Sequence, residues 1–429
     1  MQNLQINKWI KDIRRIFIPR PTKEVNKRFD MAERITNFSD ELFSKFLSTI
    51  KQEDFIAYPS YKEYNNLKEK IATYNNLQEE NIFLSTGSGA CIKALLEVTV
   101  HSGYNVVSPV PSYPMYGIYS KIFGGDHISV PYPDSRVYSL DHLMSKVNDK
   151  TRLVIISNPF SPVGDYKTIE ELRKVCEFLK QKNIIFLIDE AYVDFGPETI
   201  LPLIHEYDNV VVSRTFSKAF GAAGIRVGYL LSNPKLIETI TKVQLTYPLS
   251  GVSVKFASFL IDNIDEVNQY IYQSKKDREL LCDMLEDKGY DVIRSHTNSI
   301  HFHEGSGDNT KTIAKLNKEG LAFKSGDMKT GTPVKVPGDE RGNWIRLSIG
   351  PKINEIIEQN EDIGAEKVFS KAEAQLRGAK KGKMKFYIPP GAEDFMGLIY
   401  TIANARGKKG EAQVKFFVDN LLMPYQKGV

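Results

Sequence analysis

The stretch RTFSKAFGAAGIRVGYLL, from Arg214 to Leu231, places one lysine among alanines and glycines. Lys218 lies between two runs of strand character, VVVS from Val210 and RVGYLL. A lysine so placed is either an exposed turn residue or an enclosed amine, and an enclosed amine loses its charge more readily and becomes a nucleophile and a base. Three further polar groups follow apolar runs in the same way. IFLST leads into Gly87, Ser88 and Gly89, RLVIIS leads into Asn158 of SNPFSPVG, and IIFLID ends on Asp189, with Glu190 and Tyr192 next. VVVSRT itself ends on Thr215, ahead of Ser217 and Lys218.

Each group alone has an ordinary reading. Glycine-serine-glycine before a helix serves as a cap and turn, or leaves free N–H groups that hold an anion. Asp189 can cap the turn after its strand, and SNPFSPVG can be a proline-stiffened turn. Their shared placement favours chemistry, because in open parallel sheets functional groups gather beyond the carboxyl ends of the strands.

The elements that must carry these residues alternate. Strand-like runs at IFLST, NVVSPV, HISVPY, RLVIIS, IIFLID, VVVSRT and RVGYLL are interleaved with helical patterns such as YKEYNNLKEKIATY and YKTIEELRKVCEFLKQ. This rhythm predicts an α/β fold with a mostly parallel sheet sandwiched by helices. From about Pro248 long helical segments take over, followed by strands near SIHFHE, LAFKSG and NWIRLSIG, which predicts a second, smaller α+β domain.

Composition limits the function classes. The 429 residues are 41% hydrophobic and 26% charged, with a formal net charge of +4 spread along the chain, so no basic footprint points to nucleic acid. No apolar run reaches membrane-spanning length, and the start, MQNLQINKWIKDIRRIF, lacks the apolar core of a signal peptide, so a soluble cytoplasmic protein is expected. Cys91, Cys176 and Cys282 are odd in number and widely spaced, which predicts core or helix residues in a reducing compartment and no metal site.

The order GSGA, PSYPMY, NPFSPVG, DEAY, SRTFSKAFGAAGIRVG and WIRLSIG resembles the pyridoxal-phosphate-dependent aminotransferases of fold type I, most closely the histidinol-phosphate aminotransferase-like branch. The matching region covers about residues 25 to 355. The resemblance implies a three-layer α/β/α large domain over 61–250 and a small domain over 251–357. It also implies an N-terminal segment, 1–60, that serves the small domain and a dimer.

The resemblance further implies pyridoxal 5'-phosphate bound to Lys218 as a Schiff base, with the lysine acting afterwards as base and acid. Asp189 would keep the pyridine nitrogen protonated so that the ring accepts electrons. Asn158 and Tyr192 would hydrogen-bond the phenolic oxygen, and Tyr113 would stack on the ring. The phosphate would rest on Ser88 and Gly89, with Ser217, Arg226 and Thr215 contributing, and the residues from Gly221 to Gly224 would allow a tight turn. Tyr58 would reach the neighbouring subunit's phosphate in a homodimer with a shared active site. Arg346 would grip the substrate's acidic group, beside Asn158; a guanidinium fixes a carboxylate or a phosphate equally.

The expected reaction moves an amino group between a small amino donor, an amino acid or amino-phosphate compound, and a 2-oxo acid acceptor. Two alternatives stay open: decarboxylation of a phosphate- or phosphonate-bearing amino acid, and a non-catalytic protein on the same fold. Gly89 and Ala90 replace a common Asp-Glu pair, Val163 a common threonine, and Ala32 with Glu33 a common Asn-Glu pair; the last counts against histidinol phosphate as substrate. Residues 358–429 read as a basic linker, five Lys and Arg from Arg377 to Lys385, and a helical appendage of unassigned role.

Overall fold

The computed structural model describes residues 7–11, 13, 27–132, 137–305, 309–318, 321–323, 344–351 and 353. The chain divides into two units, Met1–Lys367, which holds every described residue, and Val368–Val429. The tail expected over 358–429 therefore lies outside the described residues.

The strands, in chain order, are β1 (Lys27–Arg28), β2 (Ile82–Ser85), β3 (Asn105–Val110), β4 (Asp126–Pro131), β5 (Thr151–Ser157), β6 (Ile185–Asp189), β7 (Val210–Thr215), β8 (Gly228–Leu231), β9 (Asp291–Ile293), β10 (Ser299–His303), β11 (Leu321–Ala322) and β12 (Ile345–Ser348). The first helices are α1 (Asp40–Leu47), α2 (Glu53–Ile56), α3 (Tyr61–Asn75), α4 (Gly87–Thr99), α5 (Met115–Ile122) and α6 (Leu140–Ser145). After them come α7 (Ile169–Lys180), α8 (Leu203–Glu206), α9 (Pro234–Thr241), α10 (Gly251–Asp262), α11 (Ile264–Asp287) and α12 (Thr310–Lys318). The helix starts follow local chemistry: Ser60 with Glu63 and Thr168 with Glu171 form reciprocal capping boxes at α3 and α7.

Seven strands form one sheet in the order β2-β8-β7-β6-β5-β3-β4. Only β8 runs against its neighbours. A strand buried on both faces needs apolar residues at successive positions, and Leu153 to Ile156 and Phe186 to Ile188 supply them. Val154, Ile156, Phe186 and Ile188 join the core shared with α3, α7 and α10, whereas Leu153, Ile155 and Leu187 join the core shared with α4, α5 and α9. Three layers result, as expected for fold type I. The strand expected at RVGYLL begins only at Gly228, because Arg226 adopts a left-handed φ of 55° and breaks the extended run.

The three-stranded antiparallel sheet β12-β10-β9 packs Ile300, Phe302, Ile345 and Leu347 against Leu281 and Leu285 of α11. Phe29 belongs to the same core, so the segment after β1 is fastened to this sheet. Gly350 fits closely there, since a Cβ on it would fall 2.7 Å from Ile35 Cγ1.

Consecutive residues at the ends of β6 and β7 project to opposite faces, which separates two sets of polar groups. On one face Arg214 bonds Glu190 Oε2 through Nη2 at 2.7 Å and Nε at 2.9 Å, while Ile200 N donates to Oε1 at 2.7 Å. Thr199 and Asn75 complete the set, so both charges are buried and paired. Removing one member of a buried pair strands the other. Arg214→Met is therefore expected to lower unfolding free energy by about 3–5 kcal/mol, read by urea denaturation; a loss below about 1 kcal/mol would contradict the pair's structural weight.

Candidate active site

The carboxyl ends of the parallel strands meet along one edge. Cross-strand register sets Ser85 and Thr215 each opposite Gly228, Asp189 opposite Ser213, and Ser157 opposite Asp189. The groups that follow these strands in sequence, Ser88, Asn158, Tyr192 and Lys218, are thereby delivered to a common crevice.

Asp189 is buried, at 5% exposure. Its side chain projects to the α4 and α5 side, where Tyr116 donates to Oδ2 at 2.7 Å, Ser213 Oγ to Oδ1 at 2.7 Å, and Ala191 N to Oδ1 at 3.2 Å. Burial raises its pKa above the ordinary range, against the lowering by the Ser213, Tyr116 and Ala191 bonds. Tyr116 is itself fully buried.

A cradle for an anion lies beside it. The first turn of α4 carries no acidic residue and Thr86 gives it no side-chain cap, so its leading N–H groups are open to a ligand. Gly87 has a φ of +79°, and a Cβ there would stand 2.6 Å from Arg226 Nη2. A Cβ on Gly228 would stand 2.2 Å from Ser88 N, and one on Gly89 3.1 Å from the Tyr113 hydroxyl. Three glycines thus bring Arg226, Tyr113 and the helix start together. Arg226 Nη1 donates to Ser217 Oγ at 3.4 Å, and Ser217 also accepts from Thr215 Oγ1 at 3.0 Å. Thr215 Oγ1 in turn accepts from Ser217 N at 3.1 Å, so its hydroxyl is engaged inside the turn. Within that turn only Gly221 needs to be glycine: its φ is +68° and a Cβ would press on Arg34 Cδ at 2.7 Å, whereas Gly224 has open space.

Lys218 is half-buried and donates from Nζ to the carbonyls of Met31 at 2.9 Å and Ala32 at 3.3 Å. Its Nζ stands 5.4 Å from the Tyr192 ring centroid. Burial alone would raise the Tyr192 phenol's pKa, but the charges of Lys218 and Arg346 with hydrogen bonds from Ser161 and Lys218 outweigh it and lower the phenol below its ordinary range. Asn158 spends its amide oxygen on Lys167 N and one amide hydrogen on Lys167 O, both at 2.9 Å, leaving one N–H to give.

Arg346, half-buried on β12, donates from Nη2 to the Asp30 carbonyl at 3.1 Å. Beside it Ser348 N and Oγ both donate to Phe29 O at 2.8 Å, and Asn298 Nδ2 donates to Ala32 O at 3.2 Å. The segment from Phe29 to Ala32 therefore crosses between the two sheets with every carbonyl accepting a bond. Tyr58 does not join this group: it is 76% exposed and stacks on Tyr247 at 4.3 Å.

Sequence reasoning passed over Tyr116, Ser213, Asn298 and the Met31 and Ala32 carbonyls. Tyr116 stands in the PSYPMY motif, and strand parity with Asp189 could have found Ser213. The carbonyls carry no sequence signal, since every residue has one.

A buried carboxylate, a lysine, a glycine-lined anion cradle and a phenol at the edge of this three-layer sheet suit pyridoxal phosphate, and they define a fold type I enzyme dependent on that cofactor. The chain belongs to the aminotransferase class I and II family, whose model matches residues 34–357. A histidinol-phosphate aminotransferase 1 of Idiomarina loihiensis is 27% identical over 383 residues, covering 87% of this chain and 98% of the relative. A histidinol-phosphate aminotransferase of Caldanaerobacter subterraneus is 31% identical over 277 residues, covering 64% and 77%. Among solved structures, the histidinol-phosphate aminotransferase of Sinorhizobium meliloti in complex with pyridoxal-5'-phosphate superposes with a TM-score of 0.69 at 22% identity, over 81% of this chain and 93% of that one. The L-threonine-O-3-phosphate decarboxylase of Porphyromonas gingivalis shares the fold, with a TM-score of 0.63 at 16% identity over 80% and 99%. The family and the named relatives support a PLP-dependent transaminase, and they support the decarboxylase alternative less.

Asp189 gives a testable pH dependence. Its folded-state carboxyl keeps its proton to higher pH than an unfolded aspartate, so the native chain binds more protons above the ordinary aspartate range and stability falls as pH rises through that window. The Tyr116 bond limits the fall only while the carboxylate is charged. Tyr116→Phe is expected to cost about 1–3 kcal/mol on the alkaline side and less on the acid side, measured by urea unfolding of cofactor-stripped protein at several pH values; a pH-independent loss would contradict the assignment.

Proposed function

We propose that the crevice residues act in transamination between an amino donor and a 2-oxo acid in the following roles. Bound pyridoxal phosphate supplies an aldehyde that takes up the amino group and a ring that accepts the electrons released at Cα. Lys218 Nζ takes the proton from the substrate Cα and returns a proton in the later half of the reaction. The Asp189 carboxylate, held by Tyr116 and Ser213, keeps a proton on the ring nitrogen.

The α4 N-terminus at Ser88 and Gly89, with Arg226 and Ser217, binds the phosphate, and Thr215 supports Ser217. The remaining N–H of Asn158 and the Tyr192 hydroxyl hold the phenolic oxygen, Tyr113 covers one ring face, and Arg346 orients the substrate's acid group. The observation that carries this reading is the placement of the buried Asp189 carboxylate on the same strand-end edge as Lys218, beside an uncapped helix start.

The same reading makes the enzyme a homodimer. Phe55, Ile56, Tyr58, Tyr61, Leu245 and Tyr247 are exposed apolar or aromatic side chains on neighbouring segments, more than a lone subunit gains from leaving in water. Tyr58 among them points outward, as a residue serving a second copy's phosphate must. The three cysteines are buried and unpaired, in keeping with a reducing cytoplasm.

Two experiments test these roles. Borohydride treatment of the yellow holoenzyme, followed by peptide mass mapping, is expected to leave the cofactor's added mass on Lys218 and on no other lysine. Asp189→Asn is expected to lose at least ~100-fold in turnover while still binding cofactor, with glutamate formed from 2-oxoglutarate as the readout; unchanged turnover would remove Asp189 from its role. For the shared site, mixing Lys218→Ala with Tyr58→Ala subunits is expected to restore about a quarter of wild-type activity, since half the dimers are mixed and each then holds one intact site. Absence of any recovery refutes sharing.

A further inference from the structure

His301 stands directly opposite Arg346 in the β10–β12 register. Ile300, Phe302, Ile345 and Leu347 face the small-sheet core, so strand alternation turns His301 and Arg346 to the other face, toward the crevice. Side chains directly opposite on one face lie close enough to act on one ligand. His301 is only 2% exposed, yet its Nδ1 has no hydrogen-bond partner among the described residues. Arg346 Nε is likewise buried and unpartnered. Two buried polar atoms without bonds, on residues paired across the strands, call for a shared partner, because burial without a bond is costly.

The charges restrict that occupant. Burial, and then the neighbouring Arg346 charge, lower the His301 pKa to about 3, so the ring is neutral across the working range. Nearby Asp30 is engaged by Arg28, whose Nη2 donates to Oδ2 at 2.9 Å. This face of the β10–β12 pair therefore presents the positive charge of Arg346 and a neutral imidazole beside it.

We propose that His301 completes the seat for the substrate's acid group, donating from Nδ1 beside the Arg346 guanidinium, and that this seat selects a donor with a free carboxylate over one with a phosphate ester. The inference rests on the reading of Arg346 given above and adds the substrate class to it. A carboxylate brings one negative charge, which one guanidinium balances. A phosphate monoester brings about −1.5 to −2 at pH 7, and the excess would be buried without compensation.

The test uses holoenzyme and two non-reacting anions with a common apolar end, 3-phenylpropionate and 2-phenylethyl phosphate, titrated by calorimetry at about pH 8. Wild type is expected to bind the carboxylate at least ~10-fold more tightly than the phosphate. His301→Phe should weaken carboxylate binding ~10-fold and phosphate binding by less than ~3-fold, with the visible cofactor band unchanged. His301→Gln, which keeps a neutral donor, should stay within ~3-fold of wild type for both.

Should His301→Phe fail to fold, His301→Ala supplies the same comparison: loss of the carboxylate preference supports the seat, and its retention overturns it. A wild-type preference for the phosphate, or equal weakening of both anions by His301→Phe, also overturns it. Arg346→Gln separates the two levels of inference. If it leaves both affinities intact, the reading of Arg346 itself fails; if it abolishes both while His301→Phe changes neither, only the role of His301 fails.

Discussion

A carboxylate sunk into an apolar sheet edge is pushed toward its protonated form, and the bonds from Ser213 and Tyr116 to Asp189 work against that push. Both donors come from elements placed for other reasons. Ser213 is on the neighbouring strand at the same height, and Tyr116 is on the helix that packs beneath that face. The crevice is therefore a product of strand register: shift β7 by one residue and Ser213 would leave the face on which Asp189 stands, with Arg214 replacing it. The ion pair of Glu190 with Arg214 on the opposite face ties down the same two strand ends, so the two faces hold one alignment between them.

The segment from Phe29 to Ala32 plays a comparable part between the sheets. Four successive carbonyls accept from Ser348, Arg346, Lys218, and Lys218 with Asn298. Ala32 holds a φ of 53°, unusual for a residue with a Cβ, and its N–H is secured by Ser348 Oγ at 2.7 Å. The resemblance leads one to expect asparagine here, a residue that tolerates the left-handed region better. The alanine brings no polar side chain, and this segment's bonds to Arg346, Lys218 and Asn298 are made by its main chain.

Much of the large sheet was legible because it is buried on both faces, and strand-length runs of Val, Ile and Leu between turn residues suit few positions besides a doubly covered strand. Asp189, Lys218 and Asn158 were legible for a related reason: each interrupts or ends such a run. What escaped lies in the third dimension. Tyr116 reads as one aromatic residue of an amphipathic helix until the helix is laid on the sheet, and His301 reads as a strand residue until Arg346 is found across from it. Thr215, at a strand end, donates from Oγ1 to Ser217 Oγ and accepts from Ser217 N inside the turn, bonds that the sequence does not show. Gly221 and Gly224 look alike in sequence, and only the approach of Arg34 tells them apart.

In the roles proposed for Arg346 and Lys218, control over which substrate bond is broken rests on the same crossing segment. Reaction type depends on which bond at Cα stands perpendicular to the cofactor ring, and that angle is set by where the acid group is held relative to the base. Here Arg346 is bonded to the carbonyl of residue 30 and Lys218 to those of residues 31 and 32. Consecutive Cα atoms are about 3.8 Å apart, so the acid seat and the amine are referenced to one short, fully bonded stretch of backbone. The same relation is also held by α11, whose Arg278 Nη1 donates to Phe195 O at 3.3 Å and to Thr297 O at 2.9 Å, and by the bond from His296 N to Gly164 O at 2.9 Å.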